Sequence, residues 1–250
     1  MAKINASHRW RILTTTIVRN FACHFLRRSS NKRYIVLLGG PGAGKGTLAT
    51  QLAALLGIAH LGMGDVLRRK EIQLEFGDRL AEMSRGGLVP DSLILEILER
   101  ELARPEYANG AILDGIPRTL EQALLLERRL AWQGVSVNNT VLLDVEEEEL
   151  VERLSFRRIC PNLSCRRSYH LKYAPPQVAD ICDACKGPLI QRPDDVPEVI
   201  RERLRKYSVE ILPLCKYYQD ARRVMVTVKS TKGSTPQEVL NLVMTALSGN

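Results

Sequence analysis

Between Tyr34 and Ala54 the chain leaves itself little choice of architecture. An apolar run, Tyr34-Ile35-Val36-Leu37-Leu38, opens directly into Gly39-Gly40-Pro41-Gly42-Ala43-Gly44-Lys45-Gly46-Thr47, after which Leu48, Leu52, Leu55 and Leu56 recur at helical spacing. The order is strand, glycine loop, helix. Glycines let consecutive N–H groups turn inward around an anion, the helix N-terminus adds partial positive charge, and Lys45 supplies a mobile cation. Gly40 through Thr47 are therefore candidate phosphate-binding residues. The pattern departs from G-x-x-x-x-G-K-[ST] by one residue, Gly46, so Thr47 is a candidate magnesium-side hydroxyl at one residue's remove. The bland alternative is an ordinary Gly-Pro turn.

With 250 residues and 45% hydrophobic content the chain can bury a substantial core, which excludes disorder throughout. The formal charge of +8 looks like a nucleic-acid signal until it is located. Residues 1–33 hold eight basic side chains and no acid, so the remainder carries 28 of each sign. A nucleic-acid footprint belongs on a folded domain, and no such partner is expected here. The basic tail reads as an organellar transit segment or as a disordered extension. No run approaches the roughly 18 apolar residues of a membrane span; a cytoplasmic monomer is expected, or a mitochondrial protein if the tail is a transit segment.

Further along, Ile58 to Leu61 reads as a second strand, and Gly62-Met63-Gly64-Asp65 introduces a helix with Asp65 as N-cap. Glu71 to Asp91 mixes short helical patterns with glycines, as a flap or a helical hairpin would. Ser92 to Leu102 is helical, and Ala111-Ile112-Leu113-Asp114 is a buried strand ending in an acid, where α/β sheets bind ligands. Beside a phosphate loop, Asp114 can hold magnesium through water. Arg118 and Gln122 fall one turn apart on a new helix, and an arginine there suits bidentate phosphate recognition. Glu146 to Arg158 reads as one helix after a fourth strand, placing Arg153 and Arg157 on one face for a shared anion. Val196 to Tyr218 is a long helix containing Arg203; a strand over Arg223–Val228 and a helix over Thr235–Leu247 complete the chain.

Four of the six cysteines lie between positions 160 and 185. Cys160 with Cys165 and Cys182 with Cys185 form two close pairs that can meet at one tetrahedral zinc. The bridge between them is too polar for a core of its own, which favours a metal staple. His170 reads as a packing or hydrogen-bonding residue.

Taken in this order and spacing, the glycine loop, Gly64-Asp65-Val66-Leu67-Arg68, Leu88-Val89-Pro90-Asp91, Asp114 to Thr119 with Gln122, Arg153 to Arg158, the cysteines with Tyr169-His170, and Gln191-Arg192 through Arg203 resemble adenylate kinase in its long form with a zinc-bearing lid. The resemblance runs from Tyr34 to Leu247. It implies an α/β fold, the P-loop nucleoside monophosphate kinase fold with a five-stranded parallel sheet, an AMP-binding part at about 62–90 and a lid at about 159–193. The implied reaction is Mg-ATP plus AMP giving two ADP. Lys45, Arg153, Arg157, Arg192 and Arg203 would surround the phosphates, with Asp114 and Asp65 ordering hydrated magnesium. Met63, Arg68, Val89, Gly115, Arg118 and Gln122, with Arg192 and Arg203, would bind AMP. Ile116-Pro117 matches the family's Phe-Pro, whose peptide is cis.

Three positions depart from the family pattern: Cys160 and Cys165 enclose four residues rather than two, Phe156 replaces a glycine, and Gly62-Met63 replaces Ser-Thr. Two other readings stay open, a kinase for another monophosphate such as CMP or UMP, and a nucleotide-controlled zinc-binding adaptor without turnover.

Overall fold

The computed structural model describes residues 32–84, 90–162, 164–220 and 224–248. Most of the basic tail and Val89 lie outside them. Five strands, β1 (Arg33–Gly39), β2 (Ala59–Gly62), β3 (Gly110–Asp114), β4 (Val137–Asp144) and β7 (Val224–Lys229), form one sheet in the order β2-β3-β1-β4-β7. Every pairing is parallel.

A parallel sheet covered on both faces needs strands that are apolar throughout, and in β1 Tyr34 to Leu38 are all at most 3% exposed. Their side chains alternate between two cores. Tyr34, Val36 and Leu38 face Leu93, Ile97, Leu126 and Tyr218, while Ile35 and Leu37 face Leu48, Leu52, Leu150 and Val243. The covering helices are α1 (Lys45–Leu56), α4 (Asp91–Leu102), α5 (Leu120–Trp132), α6 (Glu147–Ser155), α7 (Pro197–Asp220) and α8 (Pro236–Ser248). Register places Gly62 and Leu37 beside Asp114, so the ends of β1, β2 and β3 share one edge of the sheet.

Several local expectations change. Lys70–Ser84 is one helix, α3, rather than short pieces. Asp65 sits inside the four-residue helix α2 (Met63–Val66), whose N-cap is Gly62. Helix α5 starts at Leu120 with Thr119 as its cap, leaving Arg118 in the preceding loop. Helix α6 stops at Ser155, and Arg157 belongs to β5 (Arg157–Ile159), which pairs antiparallel with β6 (Ser168–His170). Arg153 and Arg157 therefore do not share a helix face. Ile116–Pro117 is cis. Among the described residues no helix is long and apolar enough to cross a membrane.

Candidate phosphate site and cysteine knuckle

The loop from β1 to α1 turns through Gly42 and Gly44, whose φ angles of 85° and 94° favour glycine. A side chain at Gly42 would also strike Leu154, 2.9 Å from the added carbon. Lys45 folds back over the loop, its Nζ donating to the carbonyls of Gly39 at 2.7 Å and Gly40 at 2.9 Å. Burial lowers its pKa to about 8; Arg118, Arg203 and Arg157 push the same way, while Asp114 opposes them. A cleft beside the loop is lined by Gly44, Thr47, Gln51, Arg153, Ser230 and Ser234.

Asp114 closes β3 at the sheet edge. A Cβ at Gly46 would lie 3.4 Å from its Oδ2, so the loop between Lys45 and Thr47 runs in contact distance of this carboxylate. Burial alone would raise the Asp114 pKa, but His60 and Lys45 outweigh it and hold the group below the usual carboxylate range. His60 Nε2 lies 3.4 Å from Asp114 Oδ2. His60 is absent from the sequence reading; its only signal was its position in the strand next to β3.

Arg153, Arg157 and Arg203 are held by acids. Arg157 makes two bonds to Asp195, Nε to Oδ2 at 2.8 Å and Nη2 to Oδ1 at 2.6 Å. Arg203 Nη1 lies 2.9 Å from Asp194 Oδ2 and 3.6 Å from Asp195 Oδ1. Asp195 is fully buried, so it fixes Arg157, while Arg203 is held chiefly by Asp194. Arg153 pairs with Glu149 at 2.8 Å and reaches Ser230 Oγ at 3.2 Å. It thus faces the cleft from α6 while Arg157 is held across the knuckle base. Burial lowers Arg192 to about 10, with Arg157 and Arg68 adding to the effect. Its Nε has no hydrogen-bond partner among the described residues.

On the other side of the sheet edge, Arg68 and Arg118 lie close over glycines. An added carbon at Gly64 would sit 3.2 Å from Arg68 Nη2, and one at Gly115 would sit 3.3 Å from Arg118 Nη2. Gln122 is buried and committed: Oε1 accepts from the Arg118 amide at 2.7 Å, and Nε2 donates to Asp91 Oδ1 at 2.7 Å. Asp91 also accepts from Thr119 Oγ1 at 2.9 Å. Two of the four hydrogen-bonding positions of this amide are thus used internally. Met63 is 2% exposed and packs in the core with Val66 and Leu67.

Cys160, Cys165, Cys182 and Cys185 converge, their four Sγ atoms within 4.8 Å of one another. Cys160 and Cys185 are 3.3 Å apart, Cys165 and Cys182 3.6 Å. Four thiolates at about 2.3 Å around one tetrahedral ion stand about 3.8 Å apart, so the set could hold a metal ion despite the four-residue loop. The Tyr169 hydroxyl, 3.4 Å from Cys182 Sγ and accepting from the Asp183 amide at 2.8 Å, favours the thiolate and lowers Cys182 to about 6. His170 is outside the set; its Nδ1 accepts from the amides of Lys172 and Tyr173, and its ring stacks on Tyr173. Phe156 carries Lys172 Nζ 4.2 Å from its ring centroid. Lys172 in turn pairs with Glu152 at 2.7 Å.

Residues 37–223 match the family model described as adenylate kinase. Curated adenylate kinases are similar over most of their length. That of Caldicellulosiruptor saccharolyticus is 41% identical over 209 residues, covering 82% of this chain and 96% of the relative. That of Thermotoga maritima is 41% identical over 215 residues, covering 84% and 96%. That of Geobacter sp. strain M21 is 44% identical over 189 residues, covering 75% and 87%.

Proposed function

The chain belongs to the adenylate kinase family, an enzyme transferring the terminal phosphoryl group of Mg-ATP to AMP to give two ADP, and we propose how its residues divide that work. The carrying observation is the cation cluster: Arg118, Arg157 and Arg203 stand near enough to the buried Lys45 to add to the lowering that burial imposes on it. Cations crowded this way lose their mutual repulsion when a polyphosphate arrives.

The loop from Gly40 to Thr47 receives the donor phosphates at the start of α1. The base of ATP fills the cleft by Arg153, Gln51 and Ser230. Lys45 leaves the carbonyls of Gly39 and Gly40 for the transferred phosphoryl group, joined by Arg157, Arg192 and Arg203. Phosphoryl transfer asks a protein for positioning and positive charge rather than a covalent nucleophile. Arg68 and Arg118 grip the AMP phosphate, and Gln122 turns its remaining donor and acceptor positions to the base, with Met63 and Gly115 in the surrounding segment; Val89, expected there from the resemblance, lies outside the described residues. The magnesium bound with ATP neutralises phosphate charge, and Asp114 with Asp65 would hold its water shell. The depressed pKa of Asp114 keeps that carboxylate ionised for the task.

The cysteine set holds structural zinc, supported by the convergence of its four sulfurs within 4.8 Å and by Tyr169 on Cys182. Residues from about 159 to 193 then form a cover over the donor site that excludes water as the competing acceptor. ATP and AMP are intracellular nucleotides, which supports the cytoplasm, or the mitochondrion if the basic tail is a transit segment; imaging of the full chain tests this. Column chromatography with light scattering tests the expected monomer.

The direct experiment is a product-resolved assay of kcat/KM with ATP against AMP, GMP, CMP, UMP and dTMP. AMP is expected to lead. A lead by CMP or UMP would move the enzyme to the neighbouring specificity, and ATP binding without transfer to any monophosphate would leave the adaptor reading.

A further inference from the structure

Arg166 has no role in the division of labour above, yet it crosses from the cysteine knuckle to the acceptor segment. Its Nη1 stands 2.5 Å from Asp65 Oδ1. The same carboxylate oxygen lies 3.3 Å from Arg68 Nη2, so one acid is shared by an acceptor-side arginine and a knuckle arginine.

The backbone under Arg166 is built to aim it. Its φ is 47°, in the left-handed region that side chains other than Gly, Asn and Asp seldom adopt. The Asn162 carbonyl holds it there, accepting from the amides of Cys165 at 3.0 Å and Arg166 at 2.9 Å, and the next residue's carbonyl accepts from the Cys160 amide at 2.9 Å. The direction of the side chain is thus fixed by the same loop that presents Cys160 and Cys165.

Charge explains the choice of target. The site already gathers Lys45, Arg118, Arg157, Arg192 and Arg203, and bringing one more cation over it is unfavourable unless an acid meets it. Asp65 supplies that acid at the acceptor side. The pair is not deeply buried, with 29% of the Arg166 side chain and 43% of the Asp65 side chain exposed. Solvent screening limits such a pair to about a few-fold in an equilibrium. That suits a contact broken and remade in every turnover.

We propose that Arg166 is a positioning residue that latches the cysteine knuckle onto Asp65 and, through the carboxylate shared with Arg68, couples closure over the donor to occupancy of the acceptor site. It rests on the phosphotransfer reading and adds the link between its two nucleotide sites. When AMP draws Arg68 onto its phosphate, Asp65 is released from Arg68 and pairs more fully with Arg166. Acceptor binding thereby favours the closed knuckle.

The test is backbone hydrogen exchange read by mass spectrometry on the full chain, following residues 164–170 and 62–69 with AMP alone, ATP alone and both. In the wild type, AMP alone should slow exchange in 164–170. In Arg166→Gln that slowing should fall at least twofold, with the KM for AMP rising about two- to fivefold and kcat changing less. Arg166→Lys should recover part of both. Metal content and Tm should match the wild type in both variants. Undiminished slowing in Arg166→Gln, no recovery in Arg166→Lys, or loss of metal from Arg166→Gln would each overturn the latch. Failure of the wild type to form ADP from ATP and AMP would instead sink the phosphotransfer reading, while the exchange response to nucleotide still reports on the coupling.

Discussion

Arg157 and Asp195, 38 positions apart in the chain, face one another in a two-bond fork with the carboxylate fully buried. The geometry locks the guanidinium plane, and Asp195 reaches Arg203 as well. One acid between β5 and α7 thus sets the orientation of Arg157 and lies 3.6 Å from a second cation, Arg203, whose nearer partner is Asp194.

Asp195→Asn removes the charge that holds Arg157, while Arg203 keeps Asp194. Leaving Arg157 without its partner should lower stability by about 1–3 kcal/mol, toward the lower end because that arginine is partly exposed. A misplaced guanidinium should lower kcat about tenfold or more with a smaller change in KM for ATP. Thermal melts and steady-state kinetics check both; an unchanged kcat would remove Asp195 from the positioning role.

Lys45 predicts a pH signature. Its pKa of about 8 in the free enzyme lies below the ordinary lysine value, so the ammonium is lost as pH rises through 8. Phosphate charge favours the protonated form and raises the pKa in the complex. ATP binding should therefore take up a fraction of a proton near pH 8.5 and much less near pH 6.5. Calorimetry in two buffers of different ionisation enthalpy measures this. For folding, a base with a depressed native pKa is unfavourable below 8, and its penalty shrinks as pH rises from 8 to about 10.5. Lys45→Met should abolish the proton uptake and depress kcat strongly.

Gln122 ties Asp91 to the Arg118 amide within a buried network. Gln122→Leu fills the space but leaves the Arg118 amide without its acceptor and Asp91 with Thr119 alone, at a cost of about 1–3 kcal/mol. The KM for AMP should rise more than the KM for ATP, and Arg118→Met should show the same bias through direct loss of the phosphate grip. Equal changes in both KM values would place Gln122 in folding alone.

The sulfur cluster predicts about one zinc per chain by elemental analysis with thiols reduced. Metal binding to such a site supplies folding energy, so chelation or any single Cys→Ser change should lower the melting transition of the knuckle while the sheet domain keeps its own. Substoichiometric metal together with unchanged melting in all four variants would defeat the assignment.

Local pattern was enough for the sheet and its loop. Strands buried on both faces must be apolar throughout, and a glycine loop between such a strand and a helix has few alternatives, so β1, β3, β4 and α1 could be read from Tyr34 onward. The cysteine pairs carried their convergence in their spacing, since a polar bridge that short cannot fold around a core. Relationships between distant residues were not legible. The reading that put Arg153 and Arg157 on one helix face followed helical periodicity, but α6 ends at Ser155 because Arg157 is drawn into the β5–β6 hairpin and onto Asp195. Nothing in the local pattern ties Gln122 to Asp91, which only folding places beside it, and His60 acquires its meaning only when register lays β2 against β3. The Arg166 to Asp65 pair is of the same kind. Periodicity reports which face a residue occupies within its own element, whereas the partner of a charge depends on where the other elements come to rest, and that is decided only when the chain closes on itself.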